Sequence, residues 1–411
     1  MRLRFSPALS FWSVAYTLAV VMIGTNVPAP LYSVYGHMWG FSSGMVTLLF
    51  AVYAFVLVPS SLVFGQLSDK LGRKRLLISG VMLAAIASIV FALAHGTWML
   101  LLARAIQGLC VGMLNGTAIA TLAELRPTNL KGASLVASVA IAVGTATGPL
   151  YAGILAQYAP FPIRLPYYIH LALLVPACLG IMATSETVRR ETKGVSLHVP
   201  SIPRFIRSRF LTATFIAVLA WAVAGFFMVV APTFVTTLVG IDNLAISGAV
   251  VFLMLGASTL AQISFQSIPL GRAMFIGFVL LSTGIVCVLI SISTHILWLF
   301  LASTVIAGAG HGPTASGSLR LVTEISPSDS RADAVSSYYA IAYLGVSVPV
   351  LGLGLIAEWI GMYGGIWVFA AAIVLSLFVL SFFVSSISLR NVKRCPRQPD
   401  SGVPNLDGGK P

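Results

Sequence analysis

The stretch GQLSDKLGRKR, Gly65 to Arg75, gathers an Asp, four basic residues and two Gly between two long apolar runs. It stands out because only 9% of the chain is charged and 58% is hydrophobic. Apolar runs of about 18 residues or more recur on both sides of it, each long enough to cross a hydrocarbon core of roughly 30 Å. With a mean hydropathy of +0.97, the 411 residues hold too little polar sequence to coat a soluble fold of that size. The pattern predicts an all-α polytopic membrane protein. Its 37 Gly suit close helix packing in lipid, and the short alternating segments of a transmembrane barrel are missing.

Twelve spans are expected, near 10–34, 44–64, 76–95, 98–122, 133–157, 167–184, 210–234, 244–266, 273–293, 296–320, 334–357 and 363–386. The first apolar run is too long for the core of a cleaved signal peptide, despite the charged MRLR before it. With the N-terminus placed in the cytoplasm, 21 of the 24 Lys and Arg fall in cytoplasmic segments, Arg164 falls in an outer loop, and Arg104 and Arg320 lie in spans. That asymmetry predicts both termini inside. It also accounts for the net charge of +13 without a nucleic-acid partner. The four Cys lack metal-ligand spacing and do not read as a disulfide framework.

The polar, basic segment 185–209 is expected to be a cytoplasmic loop separating a six-helix bundle (1–184) from a second one (210–389), with a disordered tail at 390–411. The halves resemble each other. At an offset of 200, Ala123–Pro127 (AELRP) falls on Thr323–Pro327 (TEISP), Gly108 on Gly308, Gly112 on Gly312, Lys131 on Arg331 and Pro149 on Pro349. Parallel repeats of six spans are one transporter architecture.

Read at the junction of spans two and three, Gly65, Leu67, Ser68, Asp69, Lys70, Gly72, Arg73, Lys74 and Arg75 match, without departure, the loop signature of the major facilitator superfamily, which the chain therefore resembles. The resemblance implies twelve helices in two pseudo-symmetric bundles and transport by alternating access. It implies a cytoplasmic gate built on Gly65, Asp69, Gly72 and Arg73. Gly65 would end span two, Gly72 would allow a tight turn, and Asp69 would face the positive N-terminal end of span eleven. The second-half counterpart keeps Gly271-Arg272 but has Ile268 opposite Asp69.

Two further stretches resemble family patterns. Arg104-Ala-Ile-Gln107-Gly108 opens one in span four, where Arg104 is associated with proton coupling and Gln107, one turn on, can join its hydrogen-bond network. A lone Arg inside a span must be paired or hydrated, and hydrogen bonding to backbone carbonyls of the first bundle is the alternative role. In span five, Gly144, Gly148, Pro149 and Gly153 match the antiporter signature of drug:proton exchangers, with Ala152 standing where that signature has Gly. A generic small-residue packing face is the alternative.

The family's cavity is lined chiefly by spans one, four, seven and ten, which nominates Asn26, Asn115, Trp221 and His311. His311 reads as the only His well inside a span, and the flanking Gly310 and Gly312 would leave room for water. It joins Arg104 and Gln107 as a coupling candidate because imidazole titrates near neutral pH. All eleven carboxylates fall in loops, tails or span ends, which disfavours a cationic substrate. The leading expectation is a secondary transporter that exports a small organic molecule against protons across a bacterial-type inner membrane. It would work as a monomer, with the lipid bilayer as its setting and no metal or other cofactor. A symporter or uniporter importing a metabolite is the alternative, and a non-transporting sensor is a third. No HExxH, GxSxG or Walker A pattern occurs, so neither an enzyme nor an ATP-driven pump is expected.

Overall fold

Low-polarity sequence in lipid must satisfy its backbone internally, and helices are what this chain forms. The computed structural model describes residues 5–40, 42–188, 202–233, 243–327 and 330–390. The tail from 391, residues 189–201 of the central loop, and the side chain of Asp69 lie outside the described residues.

The helices are α1 Pro7–Asn26, α2 Pro28–Trp39, α3 Ser43–Leu71, α4 Arg73–Ala92, α5 Thr97–Leu125, α6 Leu130–Tyr158, α7 Leu165–Ala183, α8 Arg207–Thr233, α9 Leu244–Ser264, α10 Leu270–Thr294, α11 Leu297–Ile325 and α12 Arg331–Arg390. By length and composition, ten described segments qualify as membrane spans, with α1 and α2 counted as one and α12 as one. The 29-residue α11 is equally long, but His311, Pro313 and its Gly make it less apolar. The 60-residue α12 is two helices joined at Gly361, whose φ of 78° is the left-handed backbone that Gly tolerates. Counted this way, the described residues hold the twelve expected helical runs.

Several boundaries differ from the sequence expectation. The first span is kinked: Pro28 and Pro30 cannot donate, and the helix breaks at Val27 into α1 and α2. Between spans two and three there is almost no loop, because α3 runs on to Leu71 and only Gly72, at φ 96°, separates it from α4. Gly65 therefore lies inside α3 instead of ending it, and a side chain there would meet nothing within 4 Å.

Helices α1–α7 pack among themselves and α8–α12 among themselves, and the two sets meet where α6 lies on α9, α3 on α12, and α2 on α8 and α9. One end of the molecule carries Arg73, Lys74, Arg75, Arg126, Arg204, Arg207 and Arg331 at helix termini, and we call it the basic face. At the opposite end Trp98, Tyr158, Trp298 and Trp359 stand largely exposed, as interfacial aromatics do.

The core is divided unevenly between these ends. Away from the basic face one apolar cluster runs through both sets, joining Leu31, Tyr35 and Tyr167 to Val223, Phe226, Phe227 and Phe300. Toward the basic face it splits in two. One part holds Phe11, Val14, Leu122 and Ile181, and the other holds Phe210, Ala213, Val322 and Ala334. The shared cluster joins the two sets, and of the two smaller clusters the first still has Tyr343 of α12 packed against it.

Candidate functional site

The kink in the first span creates acceptors. With Pro28 in the position four residues on, the Gly24 carbonyl has no helical donor, and Gln107 Nε2 donates to it at 2.8 Å. One residue along, the Thr25 carbonyl accepts from Arg104 Nη1 at 2.8 Å, and the same nitrogen reaches Gln107 Oε1 at 2.9 Å. Arg104 Nε donates to the Tyr32 hydroxyl at 2.6 Å. The rings of Tyr32, Phe50 and Tyr53 lie 5.1–5.5 Å from the guanidinium carbon, within cation–π range. Arg104 is 2% exposed, so a full charge sits in the interior, held by dipoles and ring faces. None of these partners is a carboxylate, and none comes from α8–α12.

His311 lies midway along α11. Its Nδ1 is 2.8 Å from Ser258 Oγ on α9, and Trp221 of α8 meets its ring edge-on at 5.3 Å. Its Nε2 is buried with no partner. The neighbouring glycines do not make room for water, contrary to the sequence expectation. Gly310 sits against the Leu281 backbone and Gly312 against the Ser258 carbonyl, so both serve close helix contact.

Asn115 reaches across the two sets, its Nδ2 being 3.5 Å from the Tyr343 hydroxyl of α12, while its Oδ1 is buried and unpaired. A buried polar atom without a partner costs about 1–3 kcal/mol, so Asn115 and His311 each hold open hydrogen-bonding capacity deep in the fold. Asn26 is spent locally, on Thr25 Oγ1 at 2.8 Å and the Met22 carbonyl at 3.4 Å. The sequence candidates thus fall into separate groups: Arg104 with Gln107, His311 with Trp221, and Asn115 alone at the junction.

His170 carries no signal in the sequence, where His311 reads as the one His well inside a span. His170 is 2% exposed, with Nδ1 at 2.7 Å from Ser88 Oγ and Nε2 at 3.0 Å from the Val20 carbonyl. Both nitrogens are occupied, which makes it a packing element between α1, α4 and α7. Its place near the start of a predicted span hid it.

At the basic face, Arg73 donates to Glu124 Oε1 through Nε at 3.2 Å and Nη2 at 3.0 Å, and also to the Ser68 hydroxyl. Glu186 takes the backbone N–H of Arg73 at 2.9 Å and of Lys74 at 3.3 Å, capping α4. Sequence reading did not single out Glu186, which lies in what reads as a loop.

The span-five glycines divide their work. Gly144 and Gly148 lie against the Ala19 and Ile23 carbonyls of α1, within the first set. Gly153 lies against the Leu244 carbonyl, and Gly248 of α9 against the Pro149 carbonyl, so backbones touch across the two sets. Leu244 N donates to Gln157 Oε1 at 2.8 Å and Asn243 Nδ2 to the Tyr158 hydroxyl at 3.1 Å. On the other side of the molecule Glu358 Oε1 accepts from Gly44 N, in the first turn of α3, at 3.2 Å, and Gly354 lies against Thr47. These contacts seal the far end. Toward the basic face α6 and α9 part, leaving a groove of about 590 Å³.

A family model described as Major Facilitator Superfamily matches residues 14–272. The quinolone resistance protein NorA of Staphylococcus aureus is 26% identical over 189 residues, 46% of this chain and 48% of that protein, so the chain spans about half the length of this curated relative. The MFS-type transporter MJ1560 of Methanocaldococcus jannaschii is 23% identical over 396 residues, 93% of this chain and 97% of that one. Among solved structures, a bacterial homologue of the human lysosomal transporter Spinster, inward-facing and unoccupied, superposes with a TM-score of 0.71 at 15% identity, covering 93% of this chain and 97% of the other.

Proposed function

The chain belongs to the major facilitator superfamily of membrane transporters, and from that premise we propose that it exports a small organic molecule in exchange for protons. The two bundles, 1–184 and 210–389, rock about the substrate. The basic face is cytoplasmic in this reading, which the distribution of Lys and Arg supports, with both termini on that side of a bacterial-type plasma membrane. The observation that carries the reading is the uneven closure: the far end is sealed by backbone contacts at Gly153 and Gly248, while the basic face is parted. An exporter loads and an importer releases in this state, so the outward direction rests on the antiporter-like motif and on the similarity to NorA. Gly153 and the Pro149 carbonyl of the antiporter-like motif take part in the seal, which in this reading links that end of the motif to the step that opens outward.

Substrate class follows from charge. The interior holds the Arg104 cation with no carboxylate among its partners, and described carboxylates such as Glu124, Glu324 and Glu358 sit near helix ends. A cationic substrate would find no counter-ion and a cation to repel it, whereas a zwitterionic or weakly acidic one would not. NorA is a quinolone resistance protein, and quinolones carry a carboxylate. Arg104, Gln107 and His311 are the coupling residues in this reading, and Asn115 with His311 offers unspent hydrogen-bonding atoms to substrate. The test is transport in proteoliposomes under an imposed pH gradient, with a fluorescent quinolone first and then a broad panel. Accumulation on the acidic side, abolished by an uncoupler, supports the reading. Gradient-independent flux, or accumulation of cations only, contradicts it.

A further inference from the structure

Two buried histidines in this molecule each have a serine at Nδ1. His170 Nε2 lies 3.0 Å from the Val20 carbonyl, which can only accept, so that nitrogen carries a proton. In a neutral ring, Nδ1 then accepts from Ser88 Oγ at 2.7 Å. His311 repeats one side of that arrangement, with Nδ1 2.8 Å from Ser258 Oγ, but its Nε2 is enclosed and has no partner. Among the described residues the Ser258 hydroxyl makes no other bond, although the next residue, Thr259, bonds back to the Leu255 carbonyl as helix hydroxyls commonly do. The pair can share its protons in two ways. Were Nδ1–H to donate to Ser258, the serine hydrogen and the Nε2 lone pair would both be left over. With Ser258 donating to Nδ1, Nε2–H alone is left, and burying one unpaired polar group costs less than burying two. Ser258 therefore donates, and the group left over is itself a donor.

Packing does not require this pair. Gly308 and Gly312 bring α11 into backbone contact with Met254 and Ser258 of α9, as Gly108 and Gly112 bring α5 onto Tyr53 and Leu57 of α3. At the matching places the first set has Val111 for His311 and Leu57 for Ser258, both buried. The same helix contact thus closes with two apolar side chains in one half, whereas the other half carries a polar pair with one bond unspent.

We propose that Ser258 is a positioning residue that holds His311 as the Nε2–H tautomer, so that the second bundle offers one hydrogen-bond donor to an acceptor oxygen, carboxylate or carbonyl, of the transported molecule. The proposal deepens the export reading and rests on it for the identity of that molecule as cargo. Nε2 is enclosed in this state, so the oxygen arrives when a neighbour yields. Trp221, edge-on to the ring at 5.3 Å and partly exposed where residues 222–228 are buried, is that neighbour. A cation without an acceptor oxygen finds nothing to bond here.

The test uses the full chain with isotope-labelled histidine, reconstituted in liposomes and read by solid-state NMR at neutral pH, the His311 signals being identified by their loss in His311→Gln. Wild type is expected to show Nε2–H alone at His311. Ser258→Ala should bring in a measurable share of Nδ1–H, and Ser258→Thr, which keeps the hydroxyl, should not. A fluorescent quinolone should shift the His311 Nε2 resonance and benzyltrimethylammonium should not. Benzoate and N,N-dimethylbenzamide then tell carboxylate from carbonyl recognition by which of them reproduces the shift. Quinolone affinity should fall about 2- to 10-fold in His311→Asn, whose amide takes the place of Nδ1, and be kept in His311→Gln, whose amide takes the place of Nε2. A wild-type ring protonated at Nδ1 or at both nitrogens, a tautomer indifferent to Ser258→Ala, or an Nε2 resonance that none of the acceptor probes moves would overturn the proposal. No gradient enters these measurements. A shifted Nε2 without gradient-driven flux would therefore remove proton-coupled export and leave the donor site, and such flux with an unmoved Nε2 would do the reverse.

Discussion

Replacing Gly248 by Ala probes the seal at a single atom. A Cβ built there falls on the Pro149 carbonyl, with the Leu150 Cα at 3.2 Å, and these are backbone atoms that cannot rotate away. The helices must separate at the far end, a form of overpacking that costs about 1–3 kcal/mol. Because α6 and α9 part when the far end opens, the penalty falls on the sealed conformation alone. The ratio of sealed to open molecules should therefore drop by about 5- to 150-fold. Gly256 is the internal control, since it lies on the same helix and a Cβ there meets nothing within 4 Å. Spin labels at the exposed positions Trp98 and Trp298, at the far-end starts of α5 and α11, would report the change by pulsed electron resonance in a chain freed of its native Cys. Gly248→Ala should lengthen the Trp98–Trp298 distance and Gly256→Ala should leave it alone. Superimposable distributions for a folded Gly248→Ala protein would refute the claim that this contact holds the far end shut.

Other perturbations address the remaining parts. Glu358→Gln removes the charge that faces the N-terminal turn of α3, an interaction worth about 0.3–1 kcal/mol, and should shift the same distance distribution in the same direction by a smaller amount; no shift would make Glu358 a bystander. Arg104→Ala should abolish gradient-driven flux yet retain substrate exchange, read in parallel proteoliposome assays, whereas equal loss of both would assign Arg104 to holding the kinked first span. His311→Gln keeps hydrogen bonding toward Ser258 but cannot titrate between pH 5 and 8, so substrate should still bind while the pH profile of transport flattens; a profile matching wild type would leave His311 as a packing residue.

The family and the helical fold were legible in the sequence because both rest on strong local signals: apolar length, and the Gly65–Arg75 pattern read at a fixed place between spans. What was hidden depended on tertiary contact. Hydropathy ran unbroken through Val27, so the kink went unread although Pro-Ala-Pro at 28–30 was its signal. The charges of Asp69 and Lys70 read as loop, while α3 continued to Leu71. Gly310 and Gly312 carry no mark that tells a packing face from a hydrated gap, and only the neighbouring Leu281 and Ser258 decide it. The bond from Gln107 to the Gly24 carbonyl follows from Pro28, which removes that carbonyl's helical donor, once α5 is known to lie beside α1. Glu186 had no signature because helix capping across 112 residues leaves none.

Proton movement measured alongside substrate movement tests the central claim most directly. Proteoliposomes loaded with a quinolone and a pH-sensitive dye, with no initial pH gradient, are diluted into quinolone-free buffer, and protein-free liposomes set the baseline. Exchange of substrate for protons predicts that the lumen acidifies as the quinolone leaves, and that Arg104→Ala suppresses the acidification. A lumen that turns alkaline with the departing quinolone, or one that keeps its pH while the quinolone leaves through the protein, would contradict proton-coupled export.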